Sequence, residues 1–167
     1  MSKDLFGEEI AQTMICGATF SPDRVYRYAL WRIWDKSKPL VMFIGLNPST
    51  ANETEPDPTI RRVIRFAKDW GYGGLYMMNL FALVSADPTA LVGAVDPVAD
   101  NDYYLQMKAV ECEMICFVWG AFPEAKQRAA YIASRFKGAY CMGKTKDGHP
   151  KHPLYLHSGT KPIPFAW

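Results

Sequence analysis

No apolar stretch in the 167-residue chain reaches the roughly 18 residues that a membrane-spanning helix needs. The opening, Met1–Glu9, is polar and mixed, without the apolar centre of a secretory leader. A soluble, cytoplasmic protein is expected. Cysteine is sparse: Cys16, Cys112, Cys116 and Cys141 include no Cys-x-x-Cys pair, and their spacing resembles no iron–sulfur ligand run. Buried reduced thiols and no cofactor are the expectation. A strong charge of either sign is also missing. The formal net charge is +2, so a nucleic-acid partner has to rest on local basic patches. There is no internal repeat and no linker, and 1–167 reads as a single domain, with a monomer favoured.

What is present is a series of short apolar runs, each stopping at small polar residues. Arg24–Trp34 alternates like a strand covered on both faces. Leu40–Leu46 reads as the first core strand, then gives way to Asn47-Pro48-Ser49-Thr50. Asp57-Pro58 is a helix start, with Ile60, Val63, Ile64 and Ala67 at helical spacing and Gly71 as the stop. Leu75–Leu80 is a second short strand ending at Asn79. Asp100 or Asn101 caps a helix running to about Glu113. Met114–Trp119 is a third strand, Pro123–Phe136 a helix and Ala139–Met142 a fourth strand. Residues 1–23 carry only weak turn signals, and the tail from Gly143 resists assignment. Strands alternating with helices predict a three-layer α/β/α domain, with a mainly parallel four-stranded central sheet plus extra N-terminal strand. In such sheets ligands bind at the carboxyl ends of the strands. Asn47 stands at that edge with a donor and an acceptor, and Pro48 stiffens the turn behind it.

Two signals are weighed separately. Gly138–Thr145 fits the phosphate-loop pattern G-x-x-x-x-G-K-T, but Ala-Tyr-Cys-Met reads as the strand itself and no helix can begin at Lys146-Asp147-Gly148-His149-Pro150; coincidence is the better reading. His149, His152 and His157 all lie in the tail among Lys144, Lys146, Lys151 and Lys161. Proline after His149 and after His152 holds each extended. A metal site would have only Asp147 as an acidic partner. The other readings are a histidine aimed at developing negative charge and a solvated basic loop.

Four strand ends stand in order: Gly45-Leu46-Asn47-Pro48-Ser49, Met77-Met78-Asn79-Leu80, Phe117-Val118-Trp119-Gly120-Ala121 and His152-Pro153-Leu154. In this order they resemble the uracil-DNA glycosylase superfamily over roughly residues 40–155. More closely, the chain is similar to an uncharacterised bacterial and phage family sharing Asn-Pro-Ser-Thr-Ala…Asp-x-Thr and His-Pro-Leu-Tyr-Leu, a likeness that implies no activity. The superfamily resemblance implies a glycosylase-like fold and an enzyme hydrolysing the N-glycosidic bond of an aberrant or modified base. By it, Asn47 orients a water near the sugar's anomeric carbon and Asn79 reads the base edge. His152, favoured over His149 by the following Pro-Leu, donates to a base oxygen. Gly45, Leu46, Pro48, Ser49, Thr50 and His149 complete the substrate wall, and Ser49 with the amides around Thr50 holds a phosphate. Phe81 or Tyr72 offers a stacking face, and Leu154 or Tyr155 could wedge a duplex open. Lys144, Lys146, Lys151 and Arg61 meet the nucleic-acid backbone, helped by Arg62, Arg65 and Lys68. No metal is implied. Trp119 reads as core. Asn47 is not an acid, which weakens the case for chemistry. Two rivals therefore stay open: a non-catalytic binder of nucleic acid or nucleotide, and an N-glycosidase acting on free nucleosides or nucleotides.

Overall fold

The computed structural model describes residues 2–3, 9–10 and 13–167. β1 (Ser2–Lys3) and β2 (Glu9–Ile10) form a small antiparallel pair. For residues 1, 4–8 and 11–12, the expectation of weak turn signals lies outside the described residues. The main sheet has seven strands in the order β3-β4-β6-β5-β7-β8-β9. These are β3 (Ile15–Phe20), β4 (Arg27–Ile33), β5 (Leu40–Gly45), β6 (Gly74–Asn79), β7 (Met114–Phe117), β8 (Tyr140–Cys141) and β9 (Ile163–Pro164). β6, β5, β7 and β8 are parallel to one another; β3, β4 and β9 add antiparallel edges.

The period-two alternation of β5 sets the layers. Met42 and Ile44 face a cluster with Leu105 of α3 (Asn101–Ala109) and with Ala129 and Ile132 of α4 (Lys126–Arg135). The one-turn helix α2 (Ala90–Gly93) adds Leu91 to that face. Val41 and Phe43 face Ile60, Val63, Phe66 and Ala67 of α1 (Pro58–Asp69). Helices thus cover both sides of a mixed sheet. Among the described residues, no helix is long and apolar enough to cross a membrane.

The sheet is larger than the sequence predicts, for local reasons. In β3, Gly17 must stay bare because Trp31 of β4 packs over it: a Cβ there would lie 2.3 Å from the indole. The small residues that permit this contact hide the strand's alternation. β9 is two residues long and contains a proline, as edge strands tolerate. At the other expected elements the differences are at the ends. α3 stops at Ala109 rather than near Glu113, and Asp100 makes no side-chain cap. Asn101 instead turns inward, and its Nδ2 donates to Asn79 O at 2.7 Å and Leu80 O at 3.2 Å. Pro123–Ala125 is a 3-10 turn leading into α4. The cysteines are all free; Cys116 and Cys141 are buried, but Cys16 is exposed on the edge strand β3, contrary to expectation.

Around 138–145 the strand β8 occupies the middle of the apparent phosphate loop. The chain then enters a hairpin, bridged between Lys144 and Pro150 and closed by Thr145 N to His149 O at 2.7 Å. No helix follows, so the geometry for wrapping phosphate is lacking.

Candidate functional site

Asn79 ends β6, and its register partner on β5 is Gly45. Parallel pairing continues one step beyond the strands, with Leu80 N donating to Gly45 O at 2.8 Å and Phe81 N to Leu46 O at 3.0 Å. The close approach explains the glycine: a Cβ at position 45 would fall 2.8 Å from Asn79 Oδ1. Asn79 is only 3% exposed, yet among the described residues its side-chain amide makes no hydrogen bond. It lines a cleft of about 200 Å³ at the carboxyl edge of the sheet.

Asn47 lines the same cleft, fixed from behind. Its Nδ2 donates to Ser85 O at 2.9 Å, Pro48 O at 3.1 Å and Leu83 O at 3.4 Å, tying the loop after β5 to the loop after β6. The amide nitrogen is therefore engaged, and Oδ1 is left as its acceptor.

His152 reaches the cleft from the far end of the chain. Gly120, at φ +74°, donates its N–H to Pro150 O at 3.0 Å, and Lys151 N donates to Gly143 O at 3.0 Å. The Lys144–Lys151 insertion is thereby folded out as the hairpin, and His152 returns beside Gly120, whose added Cβ would touch His152 Cβ at 3.4 Å. Leu154 N donates to His152 Nδ1 at 3.2 Å, so the proton of the neutral ring sits on Nε2. Although the residue is exposed at the cleft mouth, desolvation lowers its pKa, partly opposed by the negative charge of Asp57. Arg62 secures the following turn, Pro153–Tyr155, through Pro153 O at 3.4 Å and through Leu156 O.

Three cleft residues are not singled out by sequence reasoning as site residues. Asp57, visible only as a helix cap, is 8% exposed; its Oδ1 accepts from Ile60 N at 2.9 Å and its Oδ2 from Ala51 N at 3.3 Å. Arg27, one of the alternating strand residues, is 3% exposed and donates from Nη1 to Ala51 O at 3.1 Å, leaving Nε without a partner. Burial pushes its pKa down to about 10, against the opposing pull of Asp57. Trp119 is core, as expected, tilted against Phe117 with ring centroids 4.4 Å apart, but it also lines the cleft, and among the described residues its buried indole N–H has no partner. An arginine inside an otherwise apolar strand was the available signal for Arg27; nothing local marks Asp57 as more than a cap.

Gly45, Leu46, Asn47, Ser49, Asn79 and His152 come together in this cleft. Other expected residues do not line it. Pro48 is buried behind the loop and Thr50 faces solvent. Phe81 turns toward Leu91 and Phe122 in a separate depression. Tyr72 lies before the start of β6, packed against the α1 side. His149 sits edge-on to Trp167, 6.3 Å between ring centroids. Lys144 is held by Ala166 O and lies over Phe165, and the Lys151 stem lies against Gly143. Lys146 and Arg61 are exposed, while Arg65 pairs with Asp69 at 3.5 Å. Tyr155 projects into solvent at 95% exposure. Among the described residues no His, Cys, Asp and Glu cluster could hold a metal ion.

The cleft draws on β4, on the loops after β5 and β6, on the end of β7 and on the tail, from Arg27 to His152. The chain belongs to the DUF1643 family. That family is described as "Protein of unknown function (DUF1643)", and its model matches residues 27–154. The DUF1643 segment contains every residue lining the cleft and leaves β3 and β9 outside it. No curated protein and no solved structure is significantly similar to the chain.

Proposed function

We propose that the cleft takes a nucleobase and that the protein hydrolyses the N-glycosidic bond of an aberrant or modified base in DNA, on a glycosylase-like fold. The observation carrying this reading is the Asn79 amide: buried, unpartnered, and sharing one cleft with Asn47 and His152. An amide offers one donor and one acceptor side by side, which matches the paired O and N–H of a pyrimidine edge. The cleft volume of about 200 Å³ falls below the range for drug-sized ligands and suits a single base.

In the reaction the C1′–N bond breaks and its electron pair leaves with the base. His152 Nε2–H donates to the base oxygen on which the charge accumulates. Asn47 Oδ1 accepts from a water and orients it toward C1′. As that water bonds to C1′, its proton passes to the Asp57 carboxylate, and the departing base anion takes a proton on release. Asp57 supplies the acid that position 47 lacks. Tyr155, three residues after His152 and 95% exposed, meets nucleic acid around the mouth.

The rival reading, a binder without chemistry, draws on a specific observation: both Asp57 oxygens already accept backbone N–H bonds. Each oxygen keeps a second lone pair, so a proton can still be received. The deciding experiment incubates the protein with oligonucleotides carrying uracil, mismatches and modified pyrimidines and measures abasic sites, with free nucleosides in parallel. Abasic sites that vanish in His152→Ala support excision. Tight oligonucleotide binding with no base released from any substrate establishes the binder, and release from nucleosides alone moves the substrate to the free pool.

A further inference from the structure

The segment Ser49–Asp57 is held from below by two buried arginines of one strand. Arg27 Nη1 donates to Ala51 O at 3.1 Å, and Arg32 Nη2 donates to Asn52 O at 2.7 Å. Arg32 completes its bonding on Trp31 O at 2.8 Å and Gly17 O at 3.4 Å. Both residues are almost wholly removed from solvent, at 3% and 1% exposure. Among the described residues neither forms an ion pair with a carboxylate.

The local charge does not close. Three arginines face two carboxylates: Glu53 pairs with Arg24 at 2.6 Å and also feels Arg32, and Asp57 acts on Arg27, which Arg32 repels. An unpaired charge out of water is costly, and a guanidinium in that position is well suited to a ligand that brings the missing charge. Arg27 is the one of the two that lines the cleft; among the described residues its Nη2 makes no hydrogen bond, while its Nε is sealed away without a partner. Ser49 and Thr59 line the same cleft, and among the described residues neither hydroxyl makes a hydrogen bond.

We propose that Arg27, with Ser49 and Thr59, forms a buried oxyanion subsite in the cleft, which binds a phosphate group of the ligand. The guanidinium Nη2–H donates to one phosphate oxygen and the two hydroxyls donate to others. Its lowered pKa still leaves Arg27 charged at neutral pH, and a bound anion relieves the desolvation that lowers it. The subsite deepens the base-excision reading, on which it rests for the identity of the natural ligand. The phosphate comes either from a DNA strand or from a free nucleotide.

Nitrogen-detected or proton-detected NMR of the full chain, following Arg27 Nε–Hε, tests this directly. Inorganic phosphate is titrated first, then a deoxyuridine 5′-monophosphate, then a uracil-containing oligonucleotide. The expected result is a saturable shift of the Arg27 signal with phosphate, reached at lower concentration with whichever natural source fits. Arg27→Lys, which keeps the charge but loses the guanidinium fork that can hold Ala51 O and a phosphate at once, weakens phosphate binding about tenfold or more. Should that variant not fold, the wild-type titration alone decides. An Arg27 signal that none of the three ligands moves overturns the subsite and leaves the arginine as a staple on Ala51. Base release with Arg27 unmoved removes the subsite and keeps excision. A phosphate response with no base released from any substrate keeps the subsite and removes excision.

Discussion

Asn79 Oδ1 lies over the bare α-carbon of Gly45, so close that a Cβ would approach it to 2.8 Å. The same Cβ would also meet Met77 Cε at 2.7 Å. The glycine that ends β5 therefore makes room for the buried amide of Asn79, which faces the cleft. Gly45→Ala forces both side chains aside. Overpacking of this kind costs about 1–3 kcal/mol, measurable by urea unfolding, and is expected to abolish base recognition in the surviving folded protein. An unchanged midpoint and unchanged binding would remove Gly45 from the site.

Asn79 and Asn47 look alike in sequence but predict opposite behaviour. Among the described residues the Asn79 amide has no protein partner, so Asn79→Ala changes stability by less than about 1 kcal/mol while losing ligand binding. Asn47 joins two loops through three carbonyls. Asn47→Ala removes the donor from Leu83 O and Ser85 O, while Pro48 O keeps the N–H of Ser85, and it costs about 1–3 kcal/mol. Asn47→Asp does not create a better base, because a carboxylate oxygen would face the carbonyls of Pro48, Leu83 and Ser85. It should be destabilised further, with lower activity. Equal stability losses at the two asparagines would contradict these assignments.

His152 is held neutral by desolvation and by the N–H of Leu154 on Nδ1. Its folded pKa lies below the ordinary 6.5. The neutral ring thus contributes stability that is present above pH 6.5 and lost as pH falls through the lowered value. Protonation also breaks the Leu154 bond that begins the Pro153–Tyr155 turn. Ring proton shifts followed against pH should titrate below 6.5, and Asp57→Asn should move the midpoint lower still, since Asp57 opposes the shift. A midpoint above 6.5, or an upward move in the variant, would show that burial does not govern this ring.

Asp57 combines a cap with a charge. Asp57→Asn keeps an oxygen for Ile60 N but presents an amide to Ala51 N, so a loss of about 1–2 kcal/mol is expected. Under the proposed chemistry kcat falls about 100-fold or more, because the proton acceptor is gone, while oligonucleotide binding stays close to wild type. A fall in binding with kcat unchanged would make Asp57 purely structural.

The parallel centre of the fold was legible because β5, β6 and β7 are apolar runs bounded by glycine and turn residues, and Asp57-Pro58 marks its helix unambiguously. β3 was not, since its packing on Trp31 demands Gly17 and erases the alternation. The tail was not, because its hairpin is fixed by long-range backbone bonds to Gly120 and Gly143 rather than by local pattern. In the site, strand-end polar residues pointed to Asn47 and Asn79; His152 was marked by its His-Pro-Leu run, although it stands at the start of the Pro153–Tyr155 turn and not at the strand end expected there. Arg27 and Asp57 were hidden because each has a local role, one in a strand and one at a cap. Phe81 and His149 were placed by proximity in sequence, and side-chain direction took both elsewhere.

The central claim is that the free amide of Asn79 reads a base which the cleft then releases. Wild-type protein and Asn79→Ala, matched for folding, should be compared on one set of oligonucleotides containing uracil and modified pyrimidines, with abasic sites as the readout. The account predicts excision of at least one base by the wild type and a loss of about 100-fold or more in the variant. Excision that proceeds equally in both proteins, or no excision by the wild type on any substrate, would contradict it.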